Sequence, residues 1–192
     1  MKIGVLALQG SIEEHIFMLK KCGVEAVKVR LAEDLNDISG LIIPGGESTT
    51  LGKLLKTNNL GKEIIKKAKK GMAVYGTCAG AILLAKNIIG KKQLSLGLMD
   101  ISIKRNYYGR QIDSFETDLG ITGFGESFKG IFIRAPVIDN FHNGAKVLSE
   151  FRNKPVLVEQ GNLLVSTFHP ELTNDKRIHE YFLRMVEKNN LI

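Results

Sequence analysis

The sequence predicts an α/β fold with three layers, in which helices cover both faces of a mostly parallel central sheet. In the first half, short apolar runs alternate with helix-like segments, a pattern typical of parallel strands buried on both faces. In the second half, short strand candidates follow one another with turn residues between them, which favours antiparallel additions at one side of the sheet. No linker, repeat or low-complexity segment interrupts the chain, so residues 1–192 are expected to form a single domain.

The first half contains apolar runs that predict the strands Lys2–Leu8, Ala26–Val29, Gly40–Ile43 and Met72–Tyr75. Helices are predicted at Ile12–Cys22, Ser48–Lys56 and Leu60–Lys70, and another helical run follows at 81–85. Ser11 is a candidate N-cap of the first helix, because Glu13 and Glu14 occupy its first turn, where acidic residues are favoured. The turn residues Pro44-Gly45-Gly46 end the third strand.

The second half contains shorter apolar runs separated by turn residues. They predict strands at Ile101–Lys104, Phe115–Leu119, Gly130–Arg134, Val147–Phe151, Pro155–Glu159 and Leu163–Phe168. A closing helix is predicted over Asp175–Lys188, with Asn174 or Asp175 as its cap.

The composition excludes several classes of protein. Hydrophobic residues make up 44% and charged residues 24% of the 192 residues, which argues against a disordered or membrane-embedded chain. The apolar run at 1–8 lacks the length and the cleavage site of a signal peptide, and no run approaches the roughly 18 residues of a membrane helix. The two cysteines, Cys22 and Cys78, therefore suit a reducing compartment, and a cytoplasmic protein is expected.

The net charge of +7 raises the question of a nucleic-acid partner. The lysines are spread along the chain, and the densest cluster lies at 66–70, near the end of a predicted surface helix, without aromatic residues between them. This arrangement favours a solvated helix end that matches the helix dipole over a phosphate-binding patch. Neither a nucleic acid nor a membrane is expected as a partner.

The segment Gly76–Gly80 is the strongest functional signal in the chain. A strand, a Gly-x-Cys-x-Gly turn and a helix follow one another, which is the cysteine version of a nucleophile elbow. The glycines permit a tight bend around Cys78, and the N-terminus of the next helix favours a thiolate or an oxyanion. Cys78 is therefore a candidate nucleophile, whereas Cys22 lacks such glycines and is expected to be an inert core residue.

A base for this nucleophile is predicted just after the strand Leu163–Phe168. His169 and Cys78 both follow strands, and open α/β sheets bind ligands at the carboxyl ends of their strands. His169 is expected to take the proton of Cys78, and Glu171 to fix the imidazole tautomer and stabilise its cation. The remaining histidines are expected to be structural or exposed: His15, His142 and His179.

The segment Pro44–Thr50 lies between a predicted buried strand and a helix. Its glycines leave backbone N–H groups free to face an anion, and Ser48 is expected to cap the helix or bind a ligand. An oxyanion hole needs two donors, for which the N–H of Ala79 and one from the loop Gly45-Gly46 are candidates. No Gly-Lys-Ser/Thr follows, which excludes a Walker A loop.

Arginines stand at two turns of the second half. Arg105 and Arg110 flank a predicted turn at 104–111, and Arg134 ends an apolar strand. An arginine at such a place is suited to pair with a substrate carboxylate. Spacing alone favours ordinary surface ion pairs equally.

Taken together, the elbow and His169-Pro170-Glu171 resemble the class I, triad-type glutamine amidotransferases. Further motifs are similar to the glutaminase subunits of pyridoxal 5′-phosphate synthase: Pro44–Thr50 (PGGESTT), Thr77–Gly80 (TCAG), Arg105–Gln111 (RNYYGRQ) with Ser114-Phe115-Glu116, Phe132–Pro136 (FIRAP) and Phe168–Thr173 (FHPELT). The resemblance implies a flavodoxin-like fold of the class I glutamine amidotransferase kind. It also implies hydrolysis of L-glutamine through a γ-glutamyl thioester, with the ammonia used in vitamin B6 biosynthesis.

The same resemblance implies roles for individual residues. Cys78 would be the nucleophile, His169 the general base and acid, and Glu171 the third member of the triad. The implied glutamine-binding residues are Gly46, Glu47, Ser48, Arg105, Ile133 and Arg134, and the implied oxyanion donors are Ala79 and Gly46. The implied partner is a barrel-shaped synthase subunit in a hetero-oligomeric complex, near the loop Gln9-Gly10. No metal or bound cofactor is implied for this chain.

Two other functions remain open on the residues alone. A cysteine peptidase or γ-glutamyl hydrolase would share the elbow, but it would not need Arg105 and Arg134 to form a small amino-acid pocket. A non-catalytic binding protein that retains a reactive cysteine would make His169 and Glu171 incidental.

Overall fold

The computed structural model describes residues 1–57, 59–90, 92–106, 114–142 and 144–189. The first-half elements are β1 Lys2–Leu6, α1 Ile12–Lys21, β2 Glu25–Val29, a 3₁₀ turn Glu33–Leu35, β3 Gly40–Ile43, α2 Ser48–Thr57, α3 Leu60–Lys69, β4 Ala73–Thr77, α4 Ala79–Leu84 and β5 Ala85–Ile89. The second-half elements are β6 Met99–Lys104, β7 Ser114–Leu119, β8 Phe128–Ile133, β9 Val137–Phe141, β10 Lys146–Phe151, β11 Lys154–Gln160, β12 Leu163–Ser166, a 3₁₀ turn Pro170–Leu172 and α5 Arg177–Asn189.

The central sheet has seven strands in the order β10-β11-β12-β4-β3-β1-β2. The strands from β12 to β2 are mutually parallel, whereas β10 and β11 extend one edge by antiparallel pairing. This arrangement confirms the predicted fold class. In the register of β12 and β4, Ser166 lies opposite Thr77, so the carboxyl ends of these two strands lie side by side. The segments that follow them, which contain His169 and Cys78, therefore leave the sheet at the same edge.

Apolar side chains fill the space on both faces of this sheet, as expected for parallel strands covered by helices. Alternate residues of β3 point to opposite layers: Leu41 and Ile43 pack with α2, α3 and α4, whereas Ile42 packs with α1 and α5. Because helices cover both faces of β3, every residue of this strand is buried, and the strand is a continuous apolar run instead of an alternation of apolar and polar residues. The two layers cover both faces of the strands that lead into the loops of the site.

Two small sheets, β5-β6-β9 and β7-β8, lie outside the central sheet. The prediction of antiparallel additions at one side of the sheet therefore covers only β10 and β11. The strands β5 and β9 were not predicted, because most residues of β5 are exposed and β9 contains Asp139 and Asn140, which strands disfavour. Within the β7-β8 pair the rings of Phe115 and Phe132 stack with centroids 4.6 Å apart, and Phe132 packs on the core through Phe168, 5.5 Å away.

The starts of α1 and α5 can be compared with the predicted caps. Ser11 is the N-cap residue of α1, as predicted, but its side chain makes no capping hydrogen bond. Its backbone N–H instead donates to the carbonyl of Gly45, which ties the start of α1 to the loop after β3. At α5, the carboxylate of Asp175 accepts a hydrogen bond from the N–H of Arg177, as one of the two predicted caps.

The lysine cluster lies in the last turn of α3, the end that favours positive charge. Lys66 forms an ion pair with Glu63 of the first turn, 3.4 Å away. Among the described helices, none is both long enough and apolar enough to cross a bilayer.

Candidate active site

Cys78 connects β4 to α4 in a backbone conformation that non-glycine residues rarely adopt, with φ 47° and ψ −97°. Its N–H donates to the carbonyl of Ser166, 2.8 Å away, which fixes it against β12. The neighbouring glycines allow close packing, because a Cβ at Gly80 would lie 2.0 Å from the carbonyl oxygen of Ile43. A Cβ at Gly76 would lie 2.6 Å from the backbone of Gly80. The predicted strand–turn–helix elbow is therefore confirmed.

His169 reaches Cys78 from the end of the neighbouring strand. The backbone N–H of His169 donates to the carbonyl of Ile131, 2.8 Å away, and its ring nitrogen Nδ1 lies 2.7 Å from Oε1 of Glu171. Because Nδ1 is engaged by Glu171, Nε2 is the ring nitrogen left to interact with Cys78. Burial alone would lower the pKa of His169, but the hydrogen bonds to Cys78 and Glu171 raise it to about 10. The imidazole is therefore charged at neutral pH.

Glu171 lies behind His169 rather than in the open cleft, and it is only 4% exposed. Burial alone would raise the pKa of this carboxyl group, but the facing imidazoles of His15 and His169 lower it to about 2. An ionised carboxylate thus orients and balances the imidazolium. The structure brings together the three side chains that the sequence predicted to act together.

A cleft of about 520 Å³ opens over Cys78, a volume typical of small-molecule sites. Most of the predicted site residues line it, and these are Gly46, Glu47, Ser48, Cys78, Ala79, Arg105, Ile133, Arg134 and His169. Lining residues that were not assigned to the glutamine site include Gln9, Gly10, Ser11, Glu14, Ile82, Asn106 and Leu172. The carbonyl oxygen of Ile133 is 4.0 Å from Sγ of Cys78, so the end of β8 forms one wall.

The loop after β3 is fixed by the loop after β1. The carbonyl of Gly45 accepts a hydrogen bond from the N–H of Ser11, 3.1 Å away. Gly10 has φ +112°, and a Cβ there would lie 1.7 Å from that carbonyl oxygen, so this position requires glycine. Because a peptide group is planar, the bonded carbonyl also fixes the direction of the N–H of Gly46. Gln9 completes the tie, since its Oε1 accepts a hydrogen bond from the N–H of Glu47 at 2.8 Å.

Glu47, and not Ser48, caps α2. Its carboxylate accepts hydrogen bonds from the N–H groups of Thr49 and Thr50, at 3.2 and 2.7 Å. Burial alone would raise the pKa of Glu47, but these bonds and the Thr50 hydroxyl lower it to about 2. Of the two roles expected for Ser48, capping is therefore wrong, because α2 begins at Ser48 itself. The Ser48 hydroxyl donates to Oε1 of Gln93, 3.3 Å away.

Arg105 lies at the mouth of the cleft and is held by side chains of the same site. Its guanidinium donates to Glu47 at 3.0 Å, to Thr49 at 2.9 Å and to Gln93 at 2.6 Å. The sequence allowed either an ion pair or a ligand contact for this arginine. The structure is compatible with both, because Arg105 forms an ion pair with Glu47 and that pair lies within a ligand-sized cleft. Gln93 was missed, because it lies in a stretch without regular structure or motif.

Arg134 also lines the cleft, with an exposed side chain and φ 43°, a strained value for arginine. Strain of this kind is common at functional sites. The remaining predicted arginine, Arg110, lies outside the described residues, as does the rest of the motif at 107–111.

The histidines other than His169 fall into two groups. His142 is exposed, whereas His15 and His179 are fully buried beneath the site. Nδ1 of His15 lies 3.0 Å from Nε2 of His179, and Nε2 of His15 lies 3.1 Å from the hydroxyl of Thr77. Nothing in the local sequence indicates this cluster, because its members come from distant segments. Over the described part of the chain, no group of three or more His, Cys, Asp or Glu residues is arranged to hold a metal ion.

Comparison with known proteins gives concordant matches. A family model described as the SNO glutamine amidotransferase family matches residues 5–188. Proteins named pyridoxal 5′-phosphate synthase subunit PdxT are similar along almost their whole length. The one from Thermosipho africanus is 50% identical over 98% of this chain and 100% of its own. The one from Pelotomaculum thermopropionicum is 55% identical over 95% and 94%.

Solved structures agree with these matches. A crystal structure described as a glutamine amidotransferase has a TM-score of 0.93 at 49% identity, over 96% of this chain and 98% of that one. PurLQS from Thermotoga maritima has a TM-score of 0.63 at 20% identity, over 99% of this chain and 97% of that one, which shows a likeness of fold alone. With a family model across nearly all its residues and relatives that share half of them, this chain belongs to the SNO glutamine amidotransferase family.

Proposed function

We propose that this chain is the glutaminase subunit of a pyridoxal 5′-phosphate synthase, which hydrolyses L-glutamine to L-glutamate and ammonia through a thioester on Cys78. The observation that carries the proposal is the position of Cys78 on a strained elbow, next to the His169–Glu171 pair and open to a ligand-sized cleft. Family membership and the names of the relatives support the choice of glutamine as the substrate.

The first half of the reaction forms the thioester. The Cys78 thiolate attacks the side-chain amide carbon of glutamine, and the carbonyl oxygen becomes an oxyanion. The imidazolium of His169 then donates its proton to the nitrogen as the carbon–nitrogen bond breaks, and ammonia leaves. Because the pKa of His169 is raised to about 10, its imidazole carries this proton at neutral pH.

The second half returns the enzyme to its starting state. His169, now neutral, removes a proton from a water molecule, which attacks the thioester carbon. The carbon–sulfur bond breaks, glutamate leaves, and the thiolate again faces the imidazolium. Glu171 holds Nδ1–H of His169 through both steps, so that Nε2 always faces the reacting atoms.

Backbone N–H groups would stabilise the oxyanion in both steps. Ala79 follows the nucleophile and starts α4, and Gly46 lies in the loop tied to Ser11 and Gln9. Loss of one such donor costs about 3–4 kcal/mol, or 10²–10³ in rate. The precise setting of the loop after β3 therefore controls the activity.

The charged walls of the cleft suit an amino acid. Arg105 and Arg134 line the cleft and would receive the α-carboxylate of glutamine, and the carboxylate of Glu47 would receive its α-amino group. Gly46, Ser48 and Ile133 would complete the pocket around the side chain. These assignments favour a glutaminase over a peptidase, which would not need a small pocket closed by two arginines.

The partner would be a barrel-shaped synthase subunit that accepts the ammonia within a hetero-oligomeric complex. The matched relatives are named as subunits of pyridoxal 5′-phosphate synthase, which supports a second subunit of this kind. The loop Gln9-Gly10 lines the cleft and is hydrogen-bonded to the loop after β3, which carries the proposed oxyanion donor Gly46. A partner that contacts Gln9-Gly10 would therefore act directly on the proposed catalytic groups.

The two cysteines allow a matched test of the nucleophile. Cys78→Ala should abolish release of ammonia and glutamate from glutamine, while Cys22→Ala should keep it near the wild-type rate. Cys22 is half-buried at the end of α1, where burial raises the pKa of its thiol, so it is unsuited to nucleophilic attack. The assay measures both products with the synthase subunit present, and thermal melting verifies that each variant is folded. Retained ammonia release in the Cys78 variant would refute the proposed nucleophile.

A further inference from the structure

A buried polar cluster lies directly behind the proposed triad. His15 of α1 is fully buried where three other elements meet: Thr77 at the end of β4, His179 of α5 and Glu171 of the 3₁₀ turn. Its Nε2 lies 3.6 Å from Oε2 of Glu171, and both side chains have no solvent exposure. A histidine of α1 thus faces the side of the carboxylate that is turned away from His169.

This side of the carboxylate needs stabilisation. Oε1 of Glu171 is hydrogen-bonded to His169, but Oε2 is buried without a hydrogen-bond partner among the described residues. A buried anionic oxygen without a donor is costly. Nε2 of His15 is the group that faces this oxygen, so the proton on that nitrogen decides whether the interaction is attractive.

The hydrogen bonds of the cluster select one tautomer. If His15 carries its proton on Nε2, its Nδ1 accepts the Nε2–H of His179 and its own Nε2–H donates to the Thr77 hydroxyl, 3.1 Å away, with Oε2 of Glu171 next to that N–H at 3.6 Å. If the proton is on Nδ1 instead, the Nε2 lone pair faces the carboxylate. The proton of His179 is then on its Nδ1, which has no partner among the described residues. The first arrangement is favoured, because it leaves Nδ1 of His179 as an unpaired acceptor, whereas the second leaves there a buried N–H without an acceptor in the described part of the chain.

The surroundings keep His15 neutral. Burial lowers the pKa of His15, and burial together with His15 lowers that of His179 to about 3. His15 therefore acts through an N–H dipole and adds no second buried cation. The titratable or charged groups that face it are Glu171, His169, His179, Glu14 and Tyr75.

We propose that His15 is a positioning residue for the reaction: held by His179 and Thr77, it places the positive end of its Nε2–H dipole beside Oε2 of Glu171 and keeps that carboxylate ionised and aligned on His169. This inference rests on the proposed function, and it adds α1 and α5 to the elements that set the catalytic geometry. His15 touches neither the cleft nor the substrate, so it acts only through Glu171.

Two variants at this position separate a donor role from a packing role. His15→Leu removes the donor, whereas the side-chain amide of His15→Gln places an N–H near the position of Nε2. For glutamine hydrolysis with the synthase subunit, we expect kcat of the Leu variant to fall about 10- to 100-fold with KM unchanged. The Gln variant should recover most of that loss. In the pH profile of kcat, the acid limb of the Leu variant should move to higher pH, because the Glu171 carboxylate is protonated more easily without the neighbouring N–H.

Controls keep the possible failures apart. His142→Gln, an exposed histidine outside the cleft, should match the wild type. An inactive wild-type complex would refute the proposed function and not the role of His15. An active wild type with an equally active His15→Leu variant and an unshifted pH profile would overturn the inference, as would a Gln variant as impaired as the Leu variant.

A measurement on the unmodified chain tests the tautomer even if a variant fails to fold. Nitrogen-15 NMR of labelled histidines distinguishes the two neutral tautomers and the cation. We expect His15 to be the neutral Nε2–H tautomer between pH 5 and 8. An Nδ1–H tautomer or a protonated His15 over that range would contradict the proposal.

Discussion

The guanidinium of Arg105 is held by three side chains that belong to the same site. It donates to Glu47, Thr49 and Gln93, so a glutamine carboxylate would join an existing array of hydrogen bonds. Glu47 in turn holds the start of α2 and is tied through its N–H to Gln9. Binding of the substrate is thus connected to the loop that carries the proposed oxyanion donor, Gly46, through directly bonded residues.

This array predicts the effect of changing Arg105. Arg105→Gln removes the charge that would pair with the substrate carboxylate, and a hydrogen bond to a charged group contributes about 1.5–3 kcal/mol. We therefore expect KM for glutamine to rise about 10- to 100-fold, with a smaller change in kcat. Arg184→Gln, at an exposed position on α5 outside the cleft, is the matched control. Steady-state kinetics measure both, and an unchanged KM would remove Arg105 from the pocket.

At the scale of elements, the elbow depends on the contact between α4 and the end of β3. A methyl group at Gly80 would lie 2.0 Å from the Ile43 carbonyl oxygen, so α4 would have to move away from the sheet. Gly80→Ala should therefore cost about 3 kcal/mol of folding free energy and lower Tm by about 6–12 °C. It should also reduce glutaminase activity, because Cys78 moves with α4.

Gly120→Ala is the control for this change. Gly120 is exposed, and a methyl group there would meet no atom within 4 Å. Its stability should remain within about 0.5 kcal/mol of the wild type. Thermal melting of both variants measures the difference, and a Gly80→Ala protein as stable as the control would show that α4 is not held as described.

The elements of the site differ in how far sequence could predict them. The elbow was predictable because a local sequence motif marks it. The position of His169 was predictable because the carboxyl ends of parallel strands lie at the same edge of a sheet, which brings the end of its strand beside the elbow. The strand β5 was not, since its exposed residues lack an alternating pattern. The capping role of Glu47 was also missed, because Ser48 is the more common type of cap.

Contacts between distant segments set the limit of prediction. His15 and His179 are separated by 164 positions in the sequence, and only the packing of α1 and α5 on one face of the sheet brings them together. Neither histidine lies in a motif. Arg105 had a motif, but its bonds to Thr49 and Gln93 depend on the relative placement of α2 and the segment before β6.

For the molecule as a whole, the buried histidines make stability depend on pH. Unfolded histidines bind a proton near pH 6.5, whereas burial lowers the pKa of His15 and lowers that of His179 to about 3. Their contribution is fully present above pH 6.5 and is lost as the pH falls, by up to about 1.4 kcal/mol per pH unit for each histidine. His169 is protonated in both states below pH 6.5 because its pKa is raised, so it does not oppose this trend.

Urea unfolding between pH 5 and pH 7 measures this dependence. The free energy of unfolding should fall as the pH is lowered below 6.5, and His179→Leu should give a shallower slope, since one of the two groups is gone. His142→Gln, which changes an exposed histidine, should keep the wild-type slope. A free energy of unfolding that stays constant over this range would show that the two histidines are not buried in neutral form.

Across the molecule, the loop after β1 is connected to the cleft through the loop after β3. Gln9 and Gly10 contact that loop, Glu47 follows it, and Glu47 and the α2 residue Thr49 both accept hydrogen bonds from Arg105. A synthase subunit that docks near Gln9 would therefore influence both catalysis and glutamine binding.

Release of glutamate from L-glutamine by the purified chain, with and without a pyridoxal 5′-phosphate synthase barrel subunit, tests the central claim most directly. We predict strong stimulation by that subunit, and complete dependence of the stimulated rate on Cys78. A folded chain with reduced Cys78 that releases no glutamate in either case would contradict the claim that it is a glutaminase, and a rate that the subunit leaves unchanged would contradict the proposed partnership.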